Sequence, residues 1–349
     1  MRKAAQALIS NARQPRRFHA SLRSSVDLPP IQILYGNFNH VDVNEFREKA
    51  FVPQLPMIIK ATEEETSCSS PSHTFANSIP AACKWFSLEP HSDGVETAEQ
   101  RVVLAKDYLA PFADTILPYE LYLDQNEISQ TAYRNWIEEL ARRDSGNGPA
   151  NFLSRVIDSS PVSQTFHRFD GPLSIMLQAS TSISNNRQQQ RLYIAQAQIS
   201  DLPKQLQADL PIPTLVTQAG KGDVYDANIW IGLPPTYTPL HKDPNPNLFV
   251  QLASQKLVKL FRPSIGNSIF FKVQQEIGGS ASAQFRGEEM MEATERKALD
   301  EYVWGTKAPS DGFEVVLSPG DALFIPKGWW HAIKSLGSNL NASVNWWFR

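Results

Sequence analysis

From Leu192 onward the chain breaks into short apolar runs with Pro, Gly or Asn between them: Leu192–Ala195, Asn228–Gly232, Asn247–Leu252, Lys256–Phe261, Phe313–Leu317, Ala322–Pro326 and Asn341–Phe348. No other feature constrains the fold as much. Runs of four to eight residues are too short for helices with a buried face, but they suit strands, and the turn residues between them reverse the chain. Strands this short are stable only in numbers, so a barrel or jelly roll is expected. In the last run Asn341, Ser343, Asn345 and Trp347 share one face and Ala342, Val344, Trp346 and Phe348 the other. One face suits a core, the other a polar pocket.

The first half reads as mixed α/β. An apolar strand at Ile31–Tyr35 leads through the helix-like Val43–Arg47 to a second strand at Leu55–Lys60. From Glu63 to about Glu99 the sequence is rich in Ser, Thr, Pro and acidic residues, which predicts a long loop interrupted by Trp85-Phe86. Leu117–Leu123 predicts a strand, and Tyr133, Trp136, Ile137 and Leu140 share one face of an expected helix over Ser129–Arg143. The expected organisation is an N-terminal α/β region over 27–170 that packs on a mainly β core with helices over 171–349. A polar, helix-prone stretch at about 274–311 reads as an insertion between core strands.

The first 26 residues carry Arg2, Lys3, Arg13, Arg16, Arg17 and Arg23, with no acidic residue before Asp27. Ala5, Leu8, Ile9 and Ala12 recur at helical spacing, and Arg16-Arg17-Phe18 resembles a processing site. A mitochondrial presequence over 1–26 and a matrix address are therefore expected; the alternative is a disordered basic tail on a cytoplasmic or nuclear protein. Without those six cations, 27 basic residues face 36 acidic ones, a net charge of about −9. Such a surface disfavours general nucleic-acid binding, though it leaves room for an RNA substrate held by a local patch. Cys68 and Cys83 have no ligand-like spacing and are expected as free thiols in a reducing compartment. No apolar run approaches the roughly 18 residues a membrane span needs, so no membrane insertion is expected.

His241-Lys242-Asp243 places an imidazole and a carboxylate two residues apart, which on an extended strand turns both toward one face. By itself the pair is weak, because a chain with 7 His and 17 Asp contains a chance His-x-Asp about one time in three. A third ligand fits in His331, which opens a strand after Ser318-Pro319-Gly320-Asp321, the run Ala322–Pro326 and Trp329-Trp330. Two His and one carboxylate form the facial triad of non-haem Fe(II) oxygenases, which leaves coordination positions open for a chelating co-substrate and oxygen. His19, His40, His73, His91 and His167 have no comparable setting and are expected at the surface or in caps.

With these residues in place, Tyr193–Phe348 resembles the catalytic core of the small Jumonji-C hydroxylases of the cupin superfamily. The resemblance is carried by Tyr193-Ile194-Ala195-Gln196, Trp230-Ile231-Gly232, Thr238-Pro239-Leu240-His241-Lys242-Asp243-Pro244, Asn247, Gln255-Lys256 and Val344-Asn345-Trp346-Trp347, and the segment Phe46–Lys60 is similar to the family's lead-in. It implies a double-stranded β-helix core with an N-terminal α/β extension, and an enzyme that uses Fe(II), 2-oxoglutarate and O2 to hydroxylate a macromolecule, a protein side chain first of all. In the family, a lysine fifteen residues after the first His ligand and a hydroxyl three residues before it hold the distal carboxylate of 2-oxoglutarate; here these are Lys256 and Thr238. Tyr193 and Asn247 are expected as supplementary donors, with Asn345 beside them. A buried carboxylate needs such partners. Strand periodicity alone leaves Lys256 and Lys259 equivalent, since they project to opposite faces. Gln196, Trp230 and Trp347 are expected in the substrate pocket, with a packing role equally open for Trp347; core is the default for Trp230 and Trp329.

Two departures bear on specificity. The asparaginyl hydroxylase that modifies hypoxia-inducible factor has glutamine where this chain has Ala195, and the Tyr-x-Ala-Gln form is closer to the arginyl-hydroxylase branch and its lysyl- and tRNA-modifying relatives. Ser254 replaces a glycine often found two residues before the lysine, which is tolerated unless the backbone there needs φ > 0. The competing expectations are an N-methyl demethylase or tRNA-base hydroxylase of the same family, and a catalytically silent cupin serving as a binding module, whose ligand set would be broken.

Overall fold

The short runs pair as their alternation dictates. A computed structural model of the chain describes residues 30–36, 41–60, 79–90, 100–122, 131, 153–155, 166–181, 191–278 and 293–349. The expected presequence, Cys68, most of the 63–99 loop, all but Thr131 of the 129–143 helix, and His19, His40, His73 and His91 lie outside the described residues. The strands are β1 (Gln32–Tyr35), β2 (Met57–Lys60), β3 (Phe86–Pro90), β4 (Gln100–Leu104), β5 (Ile116–Tyr122), β6 (Phe166–Pro172), β7 (Arg191–Gln198) and β8 (Val224–Gly232). Then come β9 (Tyr237–Lys242), β10 (Asn247–Ala253), β11 (Gln255–Phe261), β12 (Phe313–Leu317), β13 (Ala322–Ile325), β14 (Trp330–Leu336) and β15 (Asn341–Phe348).

Strands β8 to β15 form the expected mainly β, jelly-roll core. Four of them, in the order β13-β10-β15-β8, are the centre of a nine-stranded sheet, and the other four make a second sheet in the order β12-β11-β14-β9. Their pairings are all antiparallel. The middle strands β10 and β15 are buried along almost their whole length, because both sheet faces are covered. Leu248, Val250, Ala342, Val344, Trp346 and Phe348 face outward into the largest apolar cluster, against the helix Leu173–Thr181 and the N-terminal elements. Between the sheets, Phe249, Val258, Leu260, Leu317, Leu323 and Ile325 fill one part of the interior. The rest of that interior is the cavity described below.

The N-terminal region does more than pack on the core. β2 pairs with β13 and carries β1, while β5 pairs with β7 and carries β6, so the large sheet is extended at both edges by residues before 173. β6 runs across position 170, where a boundary was expected. Unpaired edges are costly, and these strands cover them. Within the expected loop, Phe86–Pro90 forms a strand paired with β4. The neighbouring Trp85 is anchored by Asp209, whose carboxylate accepts from Trp85 Nε1 (2.9 Å), Tyr108 Oη (2.5 Å) and Lys84 Nζ (2.6 Å).

The helical excursion between β11 and β12 begins at Pro263, earlier than the change in composition at 274. Its first helix, Pro263–Ile277, buries Ile269, Phe270 and Val273 against Trp330 and Ala332 on the outer face of the smaller sheet, so its opening turns are as apolar as a strand. A second helix, Ala293–Val303, completes that layer through Leu299 and Val303. His167, expected at the surface or in a cap, is buried at 3% exposure on β6, opposite Leu121 of β5.

Candidate metal and co-substrate site

His241 on β9 and His331 on β14 are direct register partners. Beyond them the register steps by one residue: Ile333 faces Thr238, so β9 carries one extra residue between Thr238 and His241. That bulge, at Pro239-Leu240, turns Thr238 into the same cavity as His241, although their odd spacing puts them on opposite faces of a regular strand. Proline, which has no N–H to give the ladder, suits such a position. A second bulge lies in β7, where Ile194 pairs with Ile231 but Ala197 pairs with Ile229. Gln196 sits in it at φ 56°, and Tyr193 and Gln196 consequently both reach the cavity. Ser254, between β10 and β11, has φ 57°. This position does need the left-handed conformation, which costs a non-glycine residue about 1 kcal/mol; the Ser254 hydroxyl offsets this by donating to Leu340 O at 2.7 Å.

The ligand atoms of His241, Asp243 and His331 all lie within 4.8 Å of one another, and all three residues are buried. His241 Nε2 is 3.8 Å from Asp243 Oδ1, and His331 Nε2 is 3.6 Å from Asp243 Oδ2. Each imidazole has its Nδ1 against a backbone carbonyl, Pro239 O at 2.8 Å and Trp329 O at 3.2 Å. A carbonyl only accepts, so each Nδ1 carries the proton and each Nε2 lone pair is free for a metal. Burial, with His241 beside it, pushes His331 down from its ordinary pKa, which favours the neutral ligand form. Burial alone raises the Asp243 carboxyl, but the two imidazoles and the N–H groups of Trp347 and Asn247 outweigh it and hold the group below the usual range. Both of those N–H groups donate to Oδ2 at 2.9 Å, which leaves Oδ1 for coordination. Among the described residues no Lys or Arg pairs with Asp243. Two imidazole nitrogens and one buried carboxylate, unpaired with Lys or Arg among the described residues, fit a divalent metal such as Fe(II).

The triad opens into a cavity of about 360 Å³. Lys256 lies in it, 2% exposed, with Nζ 2.8 Å from Ser343 Oγ and 3.4 Å from Tyr193 Oη. The rings of Tyr193 and Phe249 flank the ammonium at 5.7 and 5.4 Å. No carboxylate pairs with it among the described residues, and burial lowers its pKa from 10.5 to about 7. The fully buried Ser343 comes from β15 and Lys256 from β11, so the two sheets meet here. Lys259, by contrast, is half-buried outside, with Nζ on Val303 O at 3.0 Å and Glu314 at 3.4 Å.

Residues 120–349 match the family model of the cupin-like domain. Similar proteins include lysine-specific demethylase JMJ30 of Arabidopsis thaliana, 28% identical over 155 residues, which are 44% of this chain and 33% of the relative. Lysine-specific demethylase 8 of Danio rerio is 31% identical over 158 residues, 45% and 36% of the two chains, and JmjC domain-containing protein D of Dictyostelium discoideum is 27% identical over 159 residues, 43% and 33%. The chain belongs to the cupin-like family and is of Jumonji-C type. The match spans only about a third of the length of these relatives.

In this Jumonji-C core all the residues expected at the site line one cavity: the triad, then Tyr193, Thr238, Asn247, Lys256 and Asn345, then Gln196, Trp230 and Trp347. Two roles differ from expectation. Asn247, read as a co-substrate donor, gives its amide hydrogen to Asp243 and therefore positions a metal ligand. Trp347 lines the cavity and does the same through Nε1. Trp230 is half-buried in the cavity wall, and its Nε1 donates to Asn345 Oδ1 at 2.7 Å. That bond turns Asn345 Nδ2 into a buried donor without a protein partner. Trp329 is buried, with Nε1 on Gln54 O at 3.0 Å. Phe249, Ile333, Tyr225 and Asp226 also line the cavity and were not singled out by sequence. Strand alternation in β8, where Asp226 and Trp230 share a face, carried the signal for Asp226.

Proposed function

We propose that this chain is an Fe(II)- and 2-oxoglutarate-dependent oxygenase that hydroxylates a side chain of a protein substrate. The observation that carries this reading is Lys256: an ammonium buried beside hydroxyl groups, with no anion paired to it among the described residues, in the same cavity as a complete metal triad. Burying a charge without a partner is costly, and a site keeps such a group when its ligand brings the opposite charge. A silent binding module has no need of both features.

With Fe(II), 2-oxoglutarate and O2 bound, the metal and co-substrate supply the oxidising power for attack on an unactivated C–H bond. The protein's own residues do the placing. His241, Asp243 and His331 would hold the metal, and the cavity they open into would give co-substrate and oxygen access to it. Lys256, Ser343, Tyr193 and Thr238 would receive the distal carboxylate, and the buried Asn345 Nδ2 would offer a further hydrogen bond in the same cavity. Tyr193 remains a donor at working pH, because burial raises its phenol well above the ordinary value. Phe249 and Ile333 line the cavity as apolar walls beside Lys256 and Thr238.

Hydroxylation is preferred here to N-demethylation because the Tyr193-x-Ala195-Gln196 pattern is closer to the hydroxylase branch, although two of the relatives above are named as lysine demethylases. Released formaldehyde distinguishes the two outcomes. The basic, acid-free residues 1–26 support a matrix address within the same reading. The first test is anaerobic addition of Fe(II) and then 2-oxoglutarate, watched for the visible charge-transfer band of a chelated complex. A band that is lost in His241→Ala and weakened in Lys256→Ala is the expected result; a folded, metal-loaded protein without the band removes the proposal.

A further inference from the structure

We infer that Asn228 is a positioning residue of this site: through internal water it holds the amide of Asn345 in the orientation that serves the co-substrate. This role rests on the function proposed above and adds a residue to the surroundings of the co-substrate. Asn228 is fully buried on β8, and neither Oδ1 nor Nδ2 of its amide has a hydrogen-bond partner among the described residues. β8 turns Ala227, Ile229 and Ile231 toward the large apolar cluster, while Asp226 and Trp230, on its other face, line the cavity. Asn228 stands between those two in the alternation and so points to the cavity side. A buried amide with both atoms unpaired is costly, and such groups persist where water or a ligand completes them.

The register partner of Asn228 on β15 is Asn345, and side chains directly opposite on antiparallel strands stand about 5 Å apart at Cβ. Asn345 is the middle of a row on β15. Ser343, two residues before it, accepts from Lys256 Nζ, and Trp347, two residues after it, donates to Asp243. A co-substrate that reaches from Lys256 to the metal therefore passes Asn345. Trp230 Nε1 donates to Asn345 Oδ1 at 2.7 Å and fixes that end of the amide, whereas the buried Nδ2 has no partner among the described residues. Nδ2 carries two hydrogens, of which the co-substrate needs one. The other is left for the side of Asn228. No direct bond joins the two amides, and water between them completes both, accepting from the Nδ2 groups and donating to Asn228 Oδ1. Without this second anchor the Asn345 amide is held by Trp230 alone and turns about that one bond. The metal ligands are unaffected, because Asp243 is held by Trp347 and Asn247.

The test compares the full chain with Asn228→Leu, which keeps the volume and removes both polar atoms, by anaerobic titration of the Fe(II) form with 2-oxoglutarate. The variant is expected to bind Fe(II) as the parent does, to bind 2-oxoglutarate about fivefold more weakly or worse, and to show the charge-transfer band at a shifted wavelength. Asn228→Ser, whose hydroxyl still meets the water, recovers most of the affinity. In an Asn345→Ala background the change Asn228→Leu has no further effect, which a merely structural role of Asn228 would not produce. Unchanged affinity and band position in Asn228→Leu, or the same loss with and without Asn345, overturns the inference and leaves the oxygenase reading standing. If Asn228→Leu does not fold, Asn228→Ala and Asn228→Ser make the same comparison, and equal affinities of those two overturn it. A parent chain that takes up Fe(II) and gives no band with 2-oxoglutarate overturns both.

Discussion

Asp243→Ala is expected to reduce turnover to background and to weaken metal binding by more than the ~10–100-fold that changes beyond the ligand shell cost. The substitution removes the one anionic ligand and also strands two buried donors, because Trp347 Nε1 and Asn247 Nδ2 both give their hydrogens to Asp243 Oδ2. Each stranded donor costs about 1–3 kcal/mol, so the apo variant is less stable as well. Asp243→Asn separates the two effects, since an amide oxygen still accepts both hydrogen bonds while the charge is gone. Its urea midpoint should stay near that of the parent, and its metal titration should fail like that of Asp243→Ala. Tight metal binding by a folded Asp243→Asn protein would remove Asp243 from the ligand set.

Lys256→Met is expected to act in opposite directions on stability and on function. A depression of the lysine pKa from 10.5 to about 7 means that the folded chain resists the charge, at a cost on the order of 4 kcal/mol near pH 7. Methionine removes that cost and leaves only the Ser343 hydroxyl without its donor, worth about 1 kcal/mol; the apo variant gains on the order of 3 kcal/mol. The same change leaves the co-substrate's distal carboxylate buried without a countercharge, and 2-oxoglutarate affinity falls at least about 100-fold. The pH dependence has a definite sign. Below about pH 7 folded and unfolded chains both hold the proton and the penalty is full; between about 7 and 10.5 the folded chain has released it, so this contribution to stability grows with pH. Affinity for the dianion runs the other way and declines by up to tenfold per unit above about pH 7. Urea unfolding at pH 7 and 9, with 2-oxoglutarate titrations at the same pH values, reads all of this; a Lys256→Met protein that is less stable and keeps the pH slope contradicts it.

Much of the site was legible because its residues obey strand alternation. Asn341, Ser343, Asn345 and Trp347 follow period two, and β15 places them on one face as that period requires. His241 and Asp243 follow it too. Thr238 and Gln196 do not: each reaches the cavity through a bulge, and local alternation carries no sign of an extra residue. Lys256 was singled out over Lys259 by the family resemblance alone, because strand periodicity does not say which face of β11 is covered; the pairing of the sheets puts Lys256 inside and Lys259 outside. Edge extension by β1, β2, β5 and β6 was illegible for the same reason, since long-range partners leave no local mark. Asp226 was passed over because a lone carboxylate on a strand resembles any solvated acid until the strand is placed in a cavity wall.

Among the described residues β9 is the last strand of its sheet and pairs on one side only, with β14. Its beginning is held by the hydroxyl of Tyr237, which donates to Asp300 of the helix Ala293–Val303. Its other end carries His241 and runs into Asp243, while His331 stands on the adjoining strand. An ion bound there is a removable clasp across two strands. In its absence, amide hydrogens near His241 should exchange with solvent sooner than those of β11, and the freed edge is the part of the molecule first open to a protease. Supply of the metal would then govern how long the protein survives.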